Sequence, residues 1–361
     1  MRAQMRIFGA AAIGLACLLP MAGIAAGGSA RAEAPVQAQA QATAPSANAA
    51  PSAHAAPSAN AAPSANALPT VRPRRSEIVS LKSDQGLDYR IFISAPEGEP
   101  PEGGFPVIYV LDANAWFGLA AEITRLYELE GGPAIVVGIG YPVDSLYAPK
   151  RRGHDFTLGA PVRGETSVYA GTDFGGADTF IDFLTNDLRA AIGGRYRIDR
   201  ERQSLFGHSL GGYFVFHVLL TRPDAFHAYT AASPAIWWDP AKLAADERAA
   251  AARVPAGDRP PLLVTVGSAE QKLGRADENL FRRMHAQNPA AFGGKSIEQV
   301  IADTREQMAK SGFVDNARDM ADRMKKLGYP TEFLLLEEDN HRSSVPAALM
   351  RSMPLFLDAG R

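Results

Sequence analysis

Cysteine is nearly missing from this chain, with Cys17 alone among 361 residues. Because it lies near the start, the remainder has neither disulfides nor thiol chemistry. A charge excess is missing too. Lys and Arg number 37 against 39 Asp and Glu, so no basic field favours nucleic acid or an anionic membrane as a partner. No group of His, Cys, Asp and Glu has metal-ligand spacing, and no nucleotide-binding glycine loop is correctly placed. No cofactor or metal is therefore expected. Large apolar residues are missing from one repetitive stretch, whose units begin at Ala44, Ala50, Ala56 and Ala62 and read Ala-Pro-Ser-Ala-Asn-Ala, with His54 as a substitution. These units have nothing to bury, so residues 33–70 are expected to form a disordered, semi-extended linker.

What is present starts with an export signature. Arg2 and Arg6 precede an apolar run over residues 7–26, and Ala30-Arg31-Ala32 offers the small-x-small pattern that signal peptidase cuts. The run approaches the length of a membrane anchor, which is the alternative. Its glycines and proline, and the small residues after it, point to cleavage. Lipidation at Cys17 is disfavoured because Gly14 stands where a large aliphatic residue is needed. The expected organisation is a signal over 1–32, the linker over 33–70 and one catalytic α/β domain over 71–361. The mature protein is expected to be periplasmic or secreted, without stable membrane insertion.

The folded part is organised around Leu205-Phe206-Gly207-His208-Ser209-Leu210-Gly211-Gly212. An apolar strand over 203–206 meets a Gly-x-Ser-x-Gly turn, and an apolar helix follows over 210–220. Such a turn pushes its serine above the sheet edge, and side chains at Gly207 and Gly211 would collide across it. The first backbone N–H of the helix, that of Leu210, then points at a reacting carbonyl oxygen, where the helix dipole helps. Ser209 is the candidate nucleophile of a serine hydrolase.

The flanking sequence supplies a sheet. Residues 77–81 and 87–93 alternate around Ser83-Asp84-Gln85-Gly86 and predict an edge hairpin. Continuous apolar runs over 106–111 and 134–139 fit parallel strands buried on both faces, 229–232 and 262–266 are further strands, and 332–336 is the final strand. Helical spacing marks 177–192, 296–310 and 316–327. Residues 141–176 show no periodicity and read as a long loop, and 272–312 as a polar cap beside the site.

A serine hydroxyl needs a base, and a histidine can take and return its proton. His341 follows the last strand, where this arrangement puts its histidine. His208 is beside the nucleophile but points elsewhere on the turn, while His154, His217, His227 and His285 read as structural or surface residues. Glu270 follows the penultimate strand and is the candidate acid, with Asp315 and Asp319 as fallbacks and an acid-free dyad as a further alternative. The turn after the 106–111 strand is placed to give a second oxyanion-hole N–H. Asn114 is the candidate there, Ala113 or Ala115 if the register shifts, and a plain helix cap is the competing reading. Arg151 and Arg152 either bind an anionic or catecholate substrate, or Arg152 pairs with Asp155. Trp237 and Trp238 either wall a substrate pocket or divide between core and cleft.

Several stretches together resemble the Putative esterase family of α/β hydrolases, near the siderophore trilactone esterases and esterase D-like enzymes. They are Tyr109 to Asn114, Val136 to Tyr141, Arg152 to Thr157, Phe206 to Gly212, Ala232-Ser233-Pro234 with Trp237-Trp238-Asp239, and Asn340-His341. The resemblance implies an α/β-hydrolase fold, a mostly parallel central sheet with helices on both faces. It also implies ester hydrolysis through an acyl-enzyme, with Ser209 as nucleophile and His341 as base. Ala113 departs from the glycine that relatives often carry. The expected substrate is a small-molecule ester, with a catecholate siderophore lactone among the candidates. An acyltransferase using a sugar or alcohol acceptor, and a non-catalytic binding module, are the competing expectations.

Overall fold

The computed structural model describes residues 75–162, 167–252 and 259–357. The expected signal, the linker and Cys17 lie outside the described residues. Eight strands form one sheet: β1 (Ser76–Lys82), β2 (Asp88–Ser94), β3 (Phe105–Val110), β4 (Ile135–Gly140), β5 (Ile198–His208), β6 (Ala228–Ala232), β7 (Leu262–Gly267) and β8 (Thr331–Leu336). Their spatial order is β1-β2-β4-β3-β5-β6-β7-β8. The β1–β2 hairpin and the β2–β4 pair are antiparallel, and β3 to β8 run parallel.

Burial follows from how many faces each strand must cover. β2 buries Tyr89, Ile91 and Ile93 and shows its alternate residues to partial solvent, as an antiparallel strand with one wet face does. β3 and β4 are buried at every position. Each face of their pleat meets a helical layer. Ile108, Val110 and Val136 pack with residues of α1 (Ala113–Gly131) on one side, where the last helix of the chain, over 344–357, closes the same core. Tyr109, Val137 and Leu205 pack on the other side with Phe180, Phe214 and Met320.

The remaining helices are α2 (Pro149–Phe156), α3 (Ala177–Asp182), α4 (Arg189–Gly193), α5 (Leu210–Thr221), α6 (Pro240–Ala251), α7 (Arg275–Gln287), α8 (Ile297–Ser311), α9 (Phe313–Lys326) and α10 (Ser344–Leu357). A π-helical turn, Phe183–Leu188, joins α3 to α4. α7 and α8, inserted between β7 and α9, share a small core of Leu273, Phe281 and Ile301. α2 is a correction to the long aperiodic loop expected over 141–176. Its buried residues are Arg152, Gly153, Asp155 and Phe156, so charges and a glycine occupy the face where an apolar stripe would have betrayed a helix.

Strand order places the site. From β3 the chain passes through α1 to β4 on one side, while β5 pairs with the other edge of β3. The loops leaving β3 and β5 therefore diverge and open a crevice at the carboxyl ends of the strands. Backbone strain gathers there as well. Of five non-glycine residues with positive φ among the described residues, Asp112 (52°), Ser209 (60°), Ser233 (44°) and Glu338 (63°) follow β3, β5, β6 and β8. Strained residues of this kind persist where the surroundings over-determine them, most often at functional sites.

Asp155 gives α2 a measurable signature. Its carboxyl is buried beneath Tyr89 and Tyr141, with Arg151 3.8 Å away. Burial pushes it up to about 6 from an ordinary 3.8, against the pull of Arg151. The folded protein thus holds a proton that the unfolded chain has lost. The contribution of Asp155 to stability falls as pH rises from about 4 to about 6, by about 3 kcal/mol, and is level above that. Asp155→Asn removes the slope. Urea unfolding should show the variant gaining stability relative to wild type between about pH 4 and about pH 7, and parallel profiles would contradict this account.

Candidate active site

Ser209 occupies the turn between β5 and α5 with φ 60° and ψ −117°. Three backbone bonds hold it there. Its N–H donates to the Ala232 carbonyl (2.9 Å), and its own carbonyl accepts from Tyr213 (3.1 Å) and Ala235 (3.0 Å). A Cβ on Gly207 would run into the Gly211 carbonyl, so the turn closes only around a glycine. The residue is half-buried, whereas the helix behind it is buried from Leu210 to Leu220. The N–H groups of the first turn of α5, Leu210 included, have no intrahelical acceptor and lie at the positive end of the helix dipole.

His341 sits in a tight turn after β8. Asn340 accepts from the Arg342 and Ser343 N–H groups through Oδ1 (3.0 and 3.1 Å), and its carbonyl accepts from Ser344 (3.1 Å). The His341 Nδ1–H donates to Glu270 Oε2 at 2.6 Å. Glu270 lies in the 3-10 turn after β7, and its other oxygen accepts from Ser233 Oγ (2.6 Å) and from the Gly267 N–H (2.7 Å). Both carboxylate oxygens are thus engaged, and the Glu270 side chain is only 2% exposed. The bond to Nδ1 fixes the imidazole tautomer and leaves Nε2 with its lone pair. Of the fallback acids, Asp315 binds Gln271 and Arg318 instead, and Asp319 is exposed.

His208 packs against His341 with ring centroids 4.5 Å apart, and Phe313 meets the same ring edge-on at 5.3 Å. The His208 Nε2–H donates to the His341 carbonyl at 2.7 Å. Burial, and then the neighbouring His341, hold His208 well below its ordinary value, so it stays neutral and serves as a fixed donor. His154 bonds the Asp173 carbonyl, His217 bridges Asp246 and Asp178, and His285 bonds the Lys295 carbonyl.

Asn114 lies in the first turn of α1. Its side chain is spent on the strand β4 exit: Nδ2 donates to the Tyr141 and Val143 carbonyls (3.0 and 2.9 Å), and Oδ1 accepts from Tyr141 N–H (2.8 Å). Only its backbone N–H is left for other uses. It is the N-cap residue of α1, Asp112, and not Asn114, that caps the helix, with a left-handed backbone and no side-chain cap bond.

Arg152 has a partner other than the one expected, and Trp238 takes the core position that was one of the two readings of the tryptophan pair. Arg152 is 6% exposed and pairs with Asp112, not with Asp155. Its Nε and one terminal nitrogen fork onto Asp112 at 2.9 Å each, and the other terminal nitrogen donates to Tyr169 at 2.8 Å. Burial works against that charge, and Asp112 more than restores it. Trp238 is core, not pocket wall: it is 1% exposed, donates to the Gly159 carbonyl (3.0 Å) and stands edge-on to Tyr169. Trp237 is partly buried and packs on it at 5.7 Å. Sequence reasoning missed Ser233 and Asp112. Their signal was that each is a polar residue directly ending an apolar strand.

Comparison with known proteins gives the family. The family model described as Putative esterase matches residues 84–292. The ferri-bacillibactin esterase BesA of Bacillus subtilis is 33% identical over 287 residues, which span 76% of this chain and 86% of that one. The siderophore triacetylfusarinine C esterase of Aspergillus fumigatus is 31% identical over 301 residues, 78% and 93% of the two chains. Among solved structures, the siderophore hydrolase EstB from Aspergillus nidulans superposes with a TM-score of 0.65 at 26% identity, covering 80% of this chain and 97% of that one. The chain belongs to the Putative esterase family and is a carboxylic ester hydrolase of the α/β-hydrolase fold.

Proposed function

We propose that this is an exported serine esterase that opens a siderophore lactone through an acyl-enzyme. The observation that carries the reading is the 2.6 Å bond between Glu270 and His341, whose ring packs against His208, the residue next to the left-handed Ser209. In this reading His341 Nε2 takes the Ser209 proton as Oγ attacks the ester carbonyl. The backbone N–H groups of Leu210 and Asn114 receive the oxyanion. Collapse of the tetrahedral intermediate breaks the C–O bond, and the imidazolium returns its proton to the leaving alcohol. Water, activated by the same histidine, then releases the acid and restores Ser209. Glu270 stabilises the imidazolium and holds its tautomer, and Ser233 with the Gly267 N–H holds Glu270.

The siderophore class rests on the names of the relatives, three of which cover most of this chain's folded part. Export rests on the sequence of residues 1–32 and agrees with a substrate met outside the cytoplasm. Fractionation should find the full chain outside the cytoplasm and a chain lacking residues 1–32 inside it. Equal distribution of the two would contradict export.

Ser209→Ala should lower kcat on p-nitrophenyl esters by roughly 10^4 to 10^6, with the protein still folded. Activity within tenfold of wild type would overturn the assignment. Glu270→Gln should cost roughly 10^2 to 10^4 in kcat, and Ser233→Ala roughly tenfold with KM unchanged, because Ser233 reaches His341 through its bond to Glu270. A Ser233→Ala variant altered in KM alone would remove it from the relay. A ferric catecholate trilactone should be cleaved with higher kcat/KM than simple aryl esters. Product partitioning to an added sugar in preference to water would instead mark an acyltransferase.

A further inference from the structure

The Asp112–Arg152 pair is absent from the acyl-transfer steps, yet it touches both turns that supply the oxyanion-hole N–H groups. Asp112 lies between β3 and α1, as the N-cap of α1: its carbonyl accepts from Ala115 (2.9 Å) and Trp116 (3.3 Å) while its φ of 52° turns the chain. Immediately before it, the Leu111 N–H donates to the Phe206 carbonyl at 3.1 Å, tying this turn to β5 three residues ahead of Ser209. Its carboxylate reaches the other turn as well. Asp112 Oδ2 lies 3.7 Å from where a Cβ on Gly211 would stand, against the first turn of α5 and next to Leu210.

A bare carboxylate in that place would repel the charge that develops on the substrate oxygen, and burial would magnify the repulsion. Arg152 cancels it. The guanidinium, 6% exposed, meets both carboxylate oxygens at 2.9 Å, and Tyr169 takes its third nitrogen at 2.8 Å. A planar fork of this kind fixes orientation as well as charge, which an ammonium group does not.

We propose that Asp112 and Arg152 are positioning residues for ester cleavage: their fork holds the β3 and β5 turns in register, and Arg152 neutralises a carboxylate that would oppose the oxyanion. This rests on Leu210 and Asn114 being the oxyanion-hole donors. The pair touches no substrate and acts through the two backbone turns.

Steady-state kinetics on a p-nitrophenyl ester test it, with thermal melting recorded for each variant. Arg152→Gln should lower kcat about a hundredfold, the scale of a lost oxyanion-hole donor, with KM within about threefold of wild type. The double variant Asp112→Asn with Arg152→Gln removes the bare carboxylate and should recover about tenfold of that loss. Arg152→Lys keeps the charge without the fork and should lose about tenfold in kcat at unchanged KM. It carries the test if Arg152→Gln does not fold. Equal losses in the single and double Gln variants, a change confined to KM, or wild-type kcat in Arg152→Lys would overturn the proposal. Wild-type turnover in Ser209→Ala would instead overturn the reading on which it rests.

Discussion

A left-handed serine at the end of β5 is possible only because Gly207 leaves room for the Gly211 carbonyl, and the geometry of the crevice depends on that contact. With a side chain at Gly207 the turn would open, and α5 could not start directly beyond the strand. Ser209 would then lose its three backbone anchors to Ala232, Tyr213 and Ala235. The anchors to Ala232 and Ala235 bind the turn to β6 and the loop after it, and the anchor to Tyr213 binds it to α5, so the strained conformation is over-determined by its neighbours. The surrounding sheet is buried on both faces and gives the turn a rigid base.

The second element of the site is a chain of hydrogen bonds that crosses four loops. Ser233 follows β6, Glu270 follows β7, His341 follows β8 and His208 ends β5, and each is bonded to the next member of the group. His341 is held by its ring nitrogen on one side and its carbonyl on the other. The neutral state of His208 matters to this. A charged imidazole packed 4.5 Å from His341 would oppose the imidazolium that forms during catalysis.

Much of this was legible in the sequence where chemistry and periodicity coincide. Strand–turn–helix around Ser209, the buried runs of β3 and β4, and the positions of Glu270 and His341 after late strands all follow from local pattern and chain order. α2 was not legible, because its inward face carries Arg152 and Asp155 in place of apolar residues. The partner of Arg152 was not legible either: Asp155 is three residues away in sequence, whereas Asp112 is 40 residues away and is brought close only by the sheet. Ser233 was hidden for a similar reason. Nothing local says that a serine after β6 will meet a carboxylate after β7, since that contact depends on strand order and on a left-handed backbone at Ser233.

The central claim is that the strained turn presents Ser209 as the nucleophile. Treating the folded protein with a fluorophosphonate and mapping the adduct by peptide mass spectrometry tests it most directly. The account predicts one adduct, on the peptide containing Ser209, whose formation slows when Glu270 is replaced by Gln. An adduct on another residue, or none on a protein that still cleaves esters, would contradict it.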